Sequence, residues 1–237
     1  SIATEIGDEL VIGRVAMGEI WYQMIFVDSL PETRARINVL EEIALAAGRK
    51  ARDIWLISKT YTAMSIYGGI IGNPKSARDY SRRLFDLSRE TNDPRARNMG
   101  LWTMASSDMS SWAYEEAIEN GREAYRSALS EVDGYIAHAA LAGALGLSGH
   151  TDEAVPMFQS VHDTLLERGM IIPILMLGYV MGPILVIGGD IARGMAWQEE
   201  GLARCEKFSS AVGVAYTEMV IGETYTQFVV AEEKPPT

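Results

Sequence analysis

The chain has 237 residues, enough for one or two compact domains or for one array of repeats with a continuous core. Its composition, 48% hydrophobic and 22% charged, excludes a disordered or collagen-like protein. Its single cysteine, Cys205, excludes a disulfide scaffold and favours a reducing, cytoplasmic setting. The net charge of −11, without any stretch dense in Lys and Arg, argues against binding DNA or RNA, so we expect no nucleic-acid partner.

Signals for the ends of helices recur along the whole chain, and signals for strands are absent. Cap residues, several of them followed by proline, predict helix starts at Ser29-Leu-Pro31-Glu32, Asn73-Pro74, Asp93-Pro94, Asp133 and Asp190. Glycines predict helix ends at Gly48, Gly72, Gly149 and Gly169. We therefore expect an all-α protein of about eleven helices, in which short connections place successive helices antiparallel.

The predicted helices form pairs, and the second helix of each pair begins with a small residue that allows close packing. The small residues, spaced 37 to 42 positions apart, are Ala35, Ala77, Ala117, Ala154 and Gly194. This near-constant spacing indicates helical-hairpin repeats. We predict one domain over residues 1–237, with repeats near 8–48, 50–91, 94–130, 133–169 and 171–208, and a final helix over 210–231.

The apolar segment from Met170 to Gly189 contains no charged residue and is long enough to span a membrane. The alternative is a helix buried in the array, since a helix that is apolar on all sides also suits the interior of a packed protein. Pro183 lies far inside the segment, and its flanks show no excess of positive charge. We therefore expect a buried helix and no membrane partner.

The segment from His138 to Leu166 resembles the tetratricopeptide repeat (TPR). Its matching residues are Leu141, Ala142, Leu145, Gly149, Ala154 and Phe158, with His138 in place of the usual Trp. A second match begins at Tyr114 and continues to Ala117, although Asp108 and Gly121 replace large apolar residues of the pattern. The resemblance implies a right-handed α-solenoid of about five TPR-like hairpins.

The last hundred or so residues also resemble the repeat region that follows the ATPase module of bacterial adenylate/guanylate cyclases. This resemblance is carried by Gly188 to Trp197, Gly201 to Glu206, Ala215-Tyr216, Ile221 to Tyr225 and Glu232 to Pro236. Similar repeats occur in LuxR-type transcription activators, where they are implied to sense ligands or partners. Both resemblances imply a regulatory region of a larger protein, and we expect the chain to be a fragment of one.

Motifs for catalysis or cofactor binding are not apparent in the sequence. The segment Gly68 to Ser76 departs from a phosphate-binding loop, because Asn73-Pro74 separates Gly72 from Lys75; it predicts a turn between helices. The histidines, twelve residues apart at His138, His150 and His162, lack the spacing of a ligand pair. We therefore expect no catalytic residues, no cofactor, no metal and no enzymatic activity in this chain.

The resemblance to TPR arrays implies a concave binding face, lined mainly by the first helix of each pair. The candidate residues are Met17, Ile20 and Met24, then Lys59, Thr62 and Ile66, then Trp102, Ser106 and Met109, then Ala139, and finally Met176 and Tyr179. The set is apolar, and Trp102 is the predicted anchor. A stripe of this kind is also typical of a packed core, and the sequence leaves the two alternatives open.

If this face is open, it predicts a non-catalytic scaffold that mediates protein–protein or interdomain interaction. The expected partners are another protein, other domains of the parent chain, or a second copy in a homodimer. The parent would be a bacterial signalling protein such as an adenylate/guanylate cyclase. The alternative is the small-ligand-sensing repeat domain of a LuxR-type transcription activator.

Overall fold

The computed structural model describes residues 8–27, 31–170 and 180–226, and these contain helices but no strand. The helices are α1 Glu9–Phe26, α2 Pro31–Ala51, α3 Ile54–Ile70, α4 Pro74–Thr91, α5 Pro94–Ser110, α6 Tyr114–Arg126, α7 Glu131–Leu147, α8 Thr151–Glu167, α9 Ile191–Lys207 and α10 Ala211–Thr224. Residues 180–187 are also helical and precede α9. The predicted all-α fold of paired helices is confirmed.

Several helices begin at the predicted caps. The side chain of Asn73 accepts a hydrogen bond from the amide of Ser76 (3.1 Å), and Asp93 accepts from the amide of Ala96 (2.9 Å). Asp190 caps α9 in the same way. Each such cap stabilises its helix by about 1 kcal/mol, because it satisfies an amide that has no partner within the helix.

Two predicted helix ends are wrong. The helix expected to start at Asp133 begins one turn earlier, and Ser130 rather than Asp133 accepts the hydrogen bond, here from the amide of Asp133 (3.2 Å). Gly48 does not end α2, which continues to Ala51. Gly48 is instead a packing residue: a Cβ there would lie 2.8 Å from Ile57 Cγ1, so its lack of a side chain lets α2 approach α3.

The turn inside a hairpin places one residue in the left-handed conformation. That residue is glycine in three hairpins, at Gly72, Gly149 and Gly189, because glycine has no Cβ to clash there. The third hairpin has Trp112 at the equivalent position, with φ of 62° and 80% of its surface exposed. A left-handed conformation costs a residue with a side chain roughly 1–2 kcal/mol.

The small residue predicted near the start of each second helix is buried in four of these helices. The small position is Ala77 in α4, Ala117 in α6, Ala154 in α8 and Gly194 in α9, as predicted. In α2 the prediction is wrong, since Ala35 is exposed and Thr33 is buried in its place. Thr33 precedes Ala77 by 44 residues, two more than Ala35 would require.

The small residues are needed because the two helices of a hairpin nearly touch. A Cβ added to Gly68 of α3 would lie 2.7 Å from the amide nitrogen of Ala77 in α4. A Cβ added to Gly194 of α9 would lie 2.8 Å from the carbonyl oxygen of Gly182. Both distances are shorter than van der Waals contact, so the backbones themselves form the contact.

The chain divides into two compact units, residues 1–137 and 138–237, and the boundary falls inside α7. In the first unit each helix from α1 to α5 packs on the next one, and α3 also packs on α1 and on α5. Its core surrounds Ile20, Met24, Ile37, Leu40 and Leu56. This packing of each hairpin on its neighbour is the arrangement that a repeat array requires.

The second unit has its own buried side chains, which include Phe158, Leu165, Met181 and Ile184. In it α9 packs on α10, and the amide of the buried Gln198 donates a hydrogen bond to Thr224 Oγ1 (3.0 Å). None of the helices within the described ranges is long and apolar enough to cross a membrane. Residues 171–179 of the apolar segment lie outside those ranges.

Candidate interaction face

Helix α1 carries apolar residues on all sides, and one of these sides faces solvent. Val15 is 50% exposed and Tyr22 is 57% exposed, and Val11 lies on the same side. Gly18 lies between Val15 and Tyr22, and apart from its chain neighbours and the backbone of its own helix no atom lies within 4 Å of the position that its Cβ would occupy. We call Val11, Val15, Gly18 and Tyr22 the α1 stripe. An apolar helix surface left open to water is typical of an interaction site.

The apolar surface continues from α1 onto the start of α3, where Trp55 is 41% exposed. The guanidinium of Arg14 lies 5.7 Å from the centre of the Trp55 ring, and its Nη2 forms an ion pair with Asp53 Oδ2 at 2.8 Å. Burial alone would raise the pKa of Asp53, but hydrogen bonds from Arg14 and from the amide of Leu56 outweigh it, and the pKa lies below its usual value. The ionised Asp53 therefore holds Arg14 over Trp55.

Lys59, one turn after Trp55 on α3, is half-buried. Burial lowers the pKa of Lys59, Asp133 of α7 raises it and Arg95 of α5 lowers it further, with a net lowering. Arg95 is a second positive charge close to Lys59, and nothing in the sequence indicates that the two are neighbours. Three successive first helices thus bring charged groups to one region of the first unit.

The residues predicted to form the binding face are divided between core and partly covered positions. The buried members are Ile20, Met24, Thr62, Trp102 and Ala139. The half-buried members are Met17, Lys59, Ile66, Ser106 and Met109. Met176 and Tyr179 lie outside the described residues. For the buried members the packing alternative applies, and Trp102, only 8% exposed, is not presented to solvent as an anchor.

Sequence reasoning missed the α1 stripe and Trp55. A helix with only three charged residues, Glu9, Arg14 and Glu19, gives no polar face from which the open side could be inferred. One signal was present: at the offset of 44 residues that relates Thr33 to Ala77, Val15 aligns with Lys59 and Tyr22 with Ile66. Choosing Ala35 instead of Thr33 shifted the alignment of α1 with α3 by two residues, which selected Met17 and Met24 in place of Val15 and Tyr22.

Asp108 is a buried carboxylate at a position where the TPR pattern has a large apolar residue. Arg78 Nη2 of α4 lies 3.0 Å from Asp108 Oδ1, and Asn120 Nδ2 of α6 donates to Asp108 Oδ2 at 3.0 Å. Burial raises the pKa of Asp108, whereas Arg78 and Asn120 lower it, with a net increase. This network joins α4, α5 and α6. The Asp108 side chain is closed to solvent, so its carboxylate is a packing group between these helices.

Neither His162 nor the cleft beside Arg193 has the geometry of a ligand site. His162 accepts a hydrogen bond from Arg204 Nη1 (2.9 Å) and contacts the Trp197 ring, so it is a packing residue between α8 and α9. Within the described ranges, no group of three or more His, Cys, Asp or Glu could hold a metal ion. A cleft of about 260 Å³ beside Thr151 and Arg193 is smaller than most small-molecule pockets, which begin at about 300 Å³.

No protein-family model matches this chain, and no curated protein matches it. A similar solved structure is that of a signal transduction ATPase with numerous domains (STAND) from Pyrococcus horikoshii, which carries a tetratricopeptide repeat sensor. The two share 11% sequence identity with a TM-score of 0.52 over 91% of this chain. The match spans 33% of that protein's length. At this identity the likeness shows the fold alone, and it confirms the TPR-like helical repeat.

Proposed function

We propose that this chain is a non-catalytic TPR-like scaffold that mediates protein–protein or interdomain interaction. The observation that carries the proposal is the α1 stripe with the neighbouring Trp55, large apolar side chains that face water beside the Arg14–Asp53 ion pair. Aromatic side chains and arginine are the residues that contribute most to binding energy at protein interfaces. A protein surface with both is therefore suited to a protein partner.

The chain would serve as a regulatory region of a larger cytoplasmic signalling protein. Two likenesses of different kinds support this context. The residues from Gly188 onward resemble the repeat region of bacterial adenylate/guanylate cyclases, and the similar solved structure is described as a signal transduction ATPase with a repeat sensor. In such a parent the chemistry would belong to another domain.

The absence of catalysis in this chain is part of the proposal. Its support is that Asp108 and His162, two buried polar residues within the described ranges, are occupied by intramolecular partners and closed to solvent. A ligand-sensing role, as in LuxR-type activators, has weaker support because the cleft near Arg193 is small.

Site-specific crosslinking in the full-length parent protein tests the interaction role. A photoreactive amino acid at position 15 or 22 is expected to crosslink to another protein segment, because these side chains face outward from α1. The matched control is the same amino acid at Glu90, an exposed position on α4. Equal crosslinking from all three positions, or none from positions 15 and 22, would contradict the proposal.

A further inference from the structure

The α1 stripe has the spacing of a coiled-coil seam. Successive members are separated by four, three and four residues, which makes Val15 and Tyr22 the a positions and Val11 and Gly18 the d positions of a heptad repeat. Four residues at b, c and f positions are buried in the protein core: Gly13, Ala16, Ile20 and Met24. Ile25, the d position after Tyr22, is buried as well, so the open seam ends at Tyr22. One face of α1 thus packs against the rest of the protein, and the opposite face keeps the heptad pattern of a contact with another helix.

The flanks of the stripe carry opposite charges. Arg14 occupies a g position and Glu19 the e position five residues later, and their side chains are 54% and 30% exposed. In a parallel pair of helices, a g residue lies opposite the e residue of the partner five positions further on, where opposite charges attract. The next pair in this series is Trp21 with Phe26, both apolar and half-buried.

The same flanks argue against an antiparallel pair. In antiparallel packing, g positions face g positions and e positions face e positions. Arg14 would then face a g position of the partner helix and Glu19 an e position, so Arg14 and Glu19 would not meet. The β-branched Val15 at an a position also suits a parallel two-stranded contact.

We propose that the α1 stripe binds a second copy of this chain, with the two α1 helices parallel and in register and Arg14 of each copy opposite Glu19 of the other. This proposal rests on the proposed interaction function and names its partner. Arg14 and Glu19 keep their bonds to Asp53 and Arg36 within the copy, where Arg36 donates to both Glu19 oxygens. The contact between copies adds to these bonds, since the two side chains are 54% and 30% exposed. Gly18 leaves the seam underfilled at its centre, since nothing surrounds the position of a Cβ there.

The first experiment measures the dimer dissociation constant by sedimentation equilibrium. Gly18→Leu fills the empty d position and is expected to lower the dissociation constant about tenfold, since leucine at d favours two strands. Tyr22→Glu is expected to raise the dissociation constant at least about tenfold, because it places a carboxylate in the seam. Far-ultraviolet circular dichroism checks that both variants remain folded.

The second experiment tests direction and register. In a parallel, in-register pair the two copies of residue 15 are neighbours, so Val15→Cys is expected to form a disulfide-linked dimer on mild oxidation. Glu90→Cys on α4 is the control, and the native Cys205 is buried and does not interfere. Non-reducing electrophoresis reads out both variants.

The outcomes separate the two proposals. A chain that stays monomeric, or a dimer unaffected by Gly18→Leu and Tyr22→Glu, overturns the homodimer. A dimer in which Val15→Cys forms no more disulfide than Glu90→Cys overturns the parallel register. If the chain is monomeric but positions 15 and 22 crosslink to a different protein or domain, the interaction function stands and its occupant is that segment.

Discussion

At the scale of single residues, Asp108 holds a charge where the repeat pattern normally places an apolar side chain. Arg78 and Asn120 offset part of the cost of burying that charge, and burial still raises the pKa of Asp108 overall. The folded protein therefore binds a proton at this carboxyl more tightly than the unfolded chain does, where the pKa is about 3.9. With respect to Asp108 alone, the free energy of unfolding is greatest below about pH 4 and falls as the pH rises through the raised folded-state value.

Asp108→Asn is expected to remove this fall in the free energy of unfolding with rising pH, because an amide does not ionise. Relative to the unsubstituted chain, the variant should gain stability as the pH is raised from about 4 to about 7. Urea denaturation at several pH values measures the difference. Asp79→Asn, on the exposed side of α4, is the control for exchanging a carboxyl for an amide. A difference for Asp108→Asn that is constant with pH would contradict the expectation.

At the scale of elements, hairpin geometry depends on backbone contact at one glycine pair. Gly194→Ala would place a methyl group 2.6 Å from Val186 Cγ2 and 2.8 Å from the Gly182 carbonyl oxygen, so α9 must move away from the helix before it. We expect a loss of about 1–3 kcal/mol in the free energy of unfolding.

Gly222→Ala is the matched control for that substitution. It lies in α10, and no atom is within 4 Å of the added methyl group. It should stabilise the chain by about 0.5–1 kcal/mol, since alanine loses less conformational freedom than glycine in a helix. Chemical denaturation measures both variants, and equal effects would show that helix propensity rather than packing governs Gly194.

Local signals in the sequence predict the helices well. The open face depends on contacts between helices that are distant in sequence, and the sequence predicts it poorly. Asn73 and Asp93 cap their helices as expected, because a cap depends on residues two or three positions away. The error at Ala35 arose because no local rule fixes the register of α2 against α1. The exposed side of α1 could not be predicted, because its apolar residues surround the helix and only the neighbouring helices determine which of them are covered.

At the scale of the whole molecule, the fold depends on apolar packing between neighbouring helices. Cys205 is the only cysteine in the sequence and is buried, so no disulfide can form within the chain. We expect EDTA and dithiothreitol to leave both the helical circular dichroism signal and the melting temperature unchanged. Loss of helical signal with either reagent would show that a metal or a disulfide contributes to the fold.

The uneven exposure of the tryptophans gives the protein an optical signature. Trp55 lies beside the α1 stripe, Trp112 stands 80% exposed at a hairpin turn remote in sequence from it, and Trp102 is buried. Indole emission shifts to longer wavelength in water and is quenched by dissolved iodide, so Trp55 and Trp112 should dominate the quenchable light. A partner that covers the α1 stripe should shield Trp55 and the half-buried Trp21 of α1 from iodide and leave Trp112 quenchable, so binding is read as a loss of quenching that Trp55→Phe reduces.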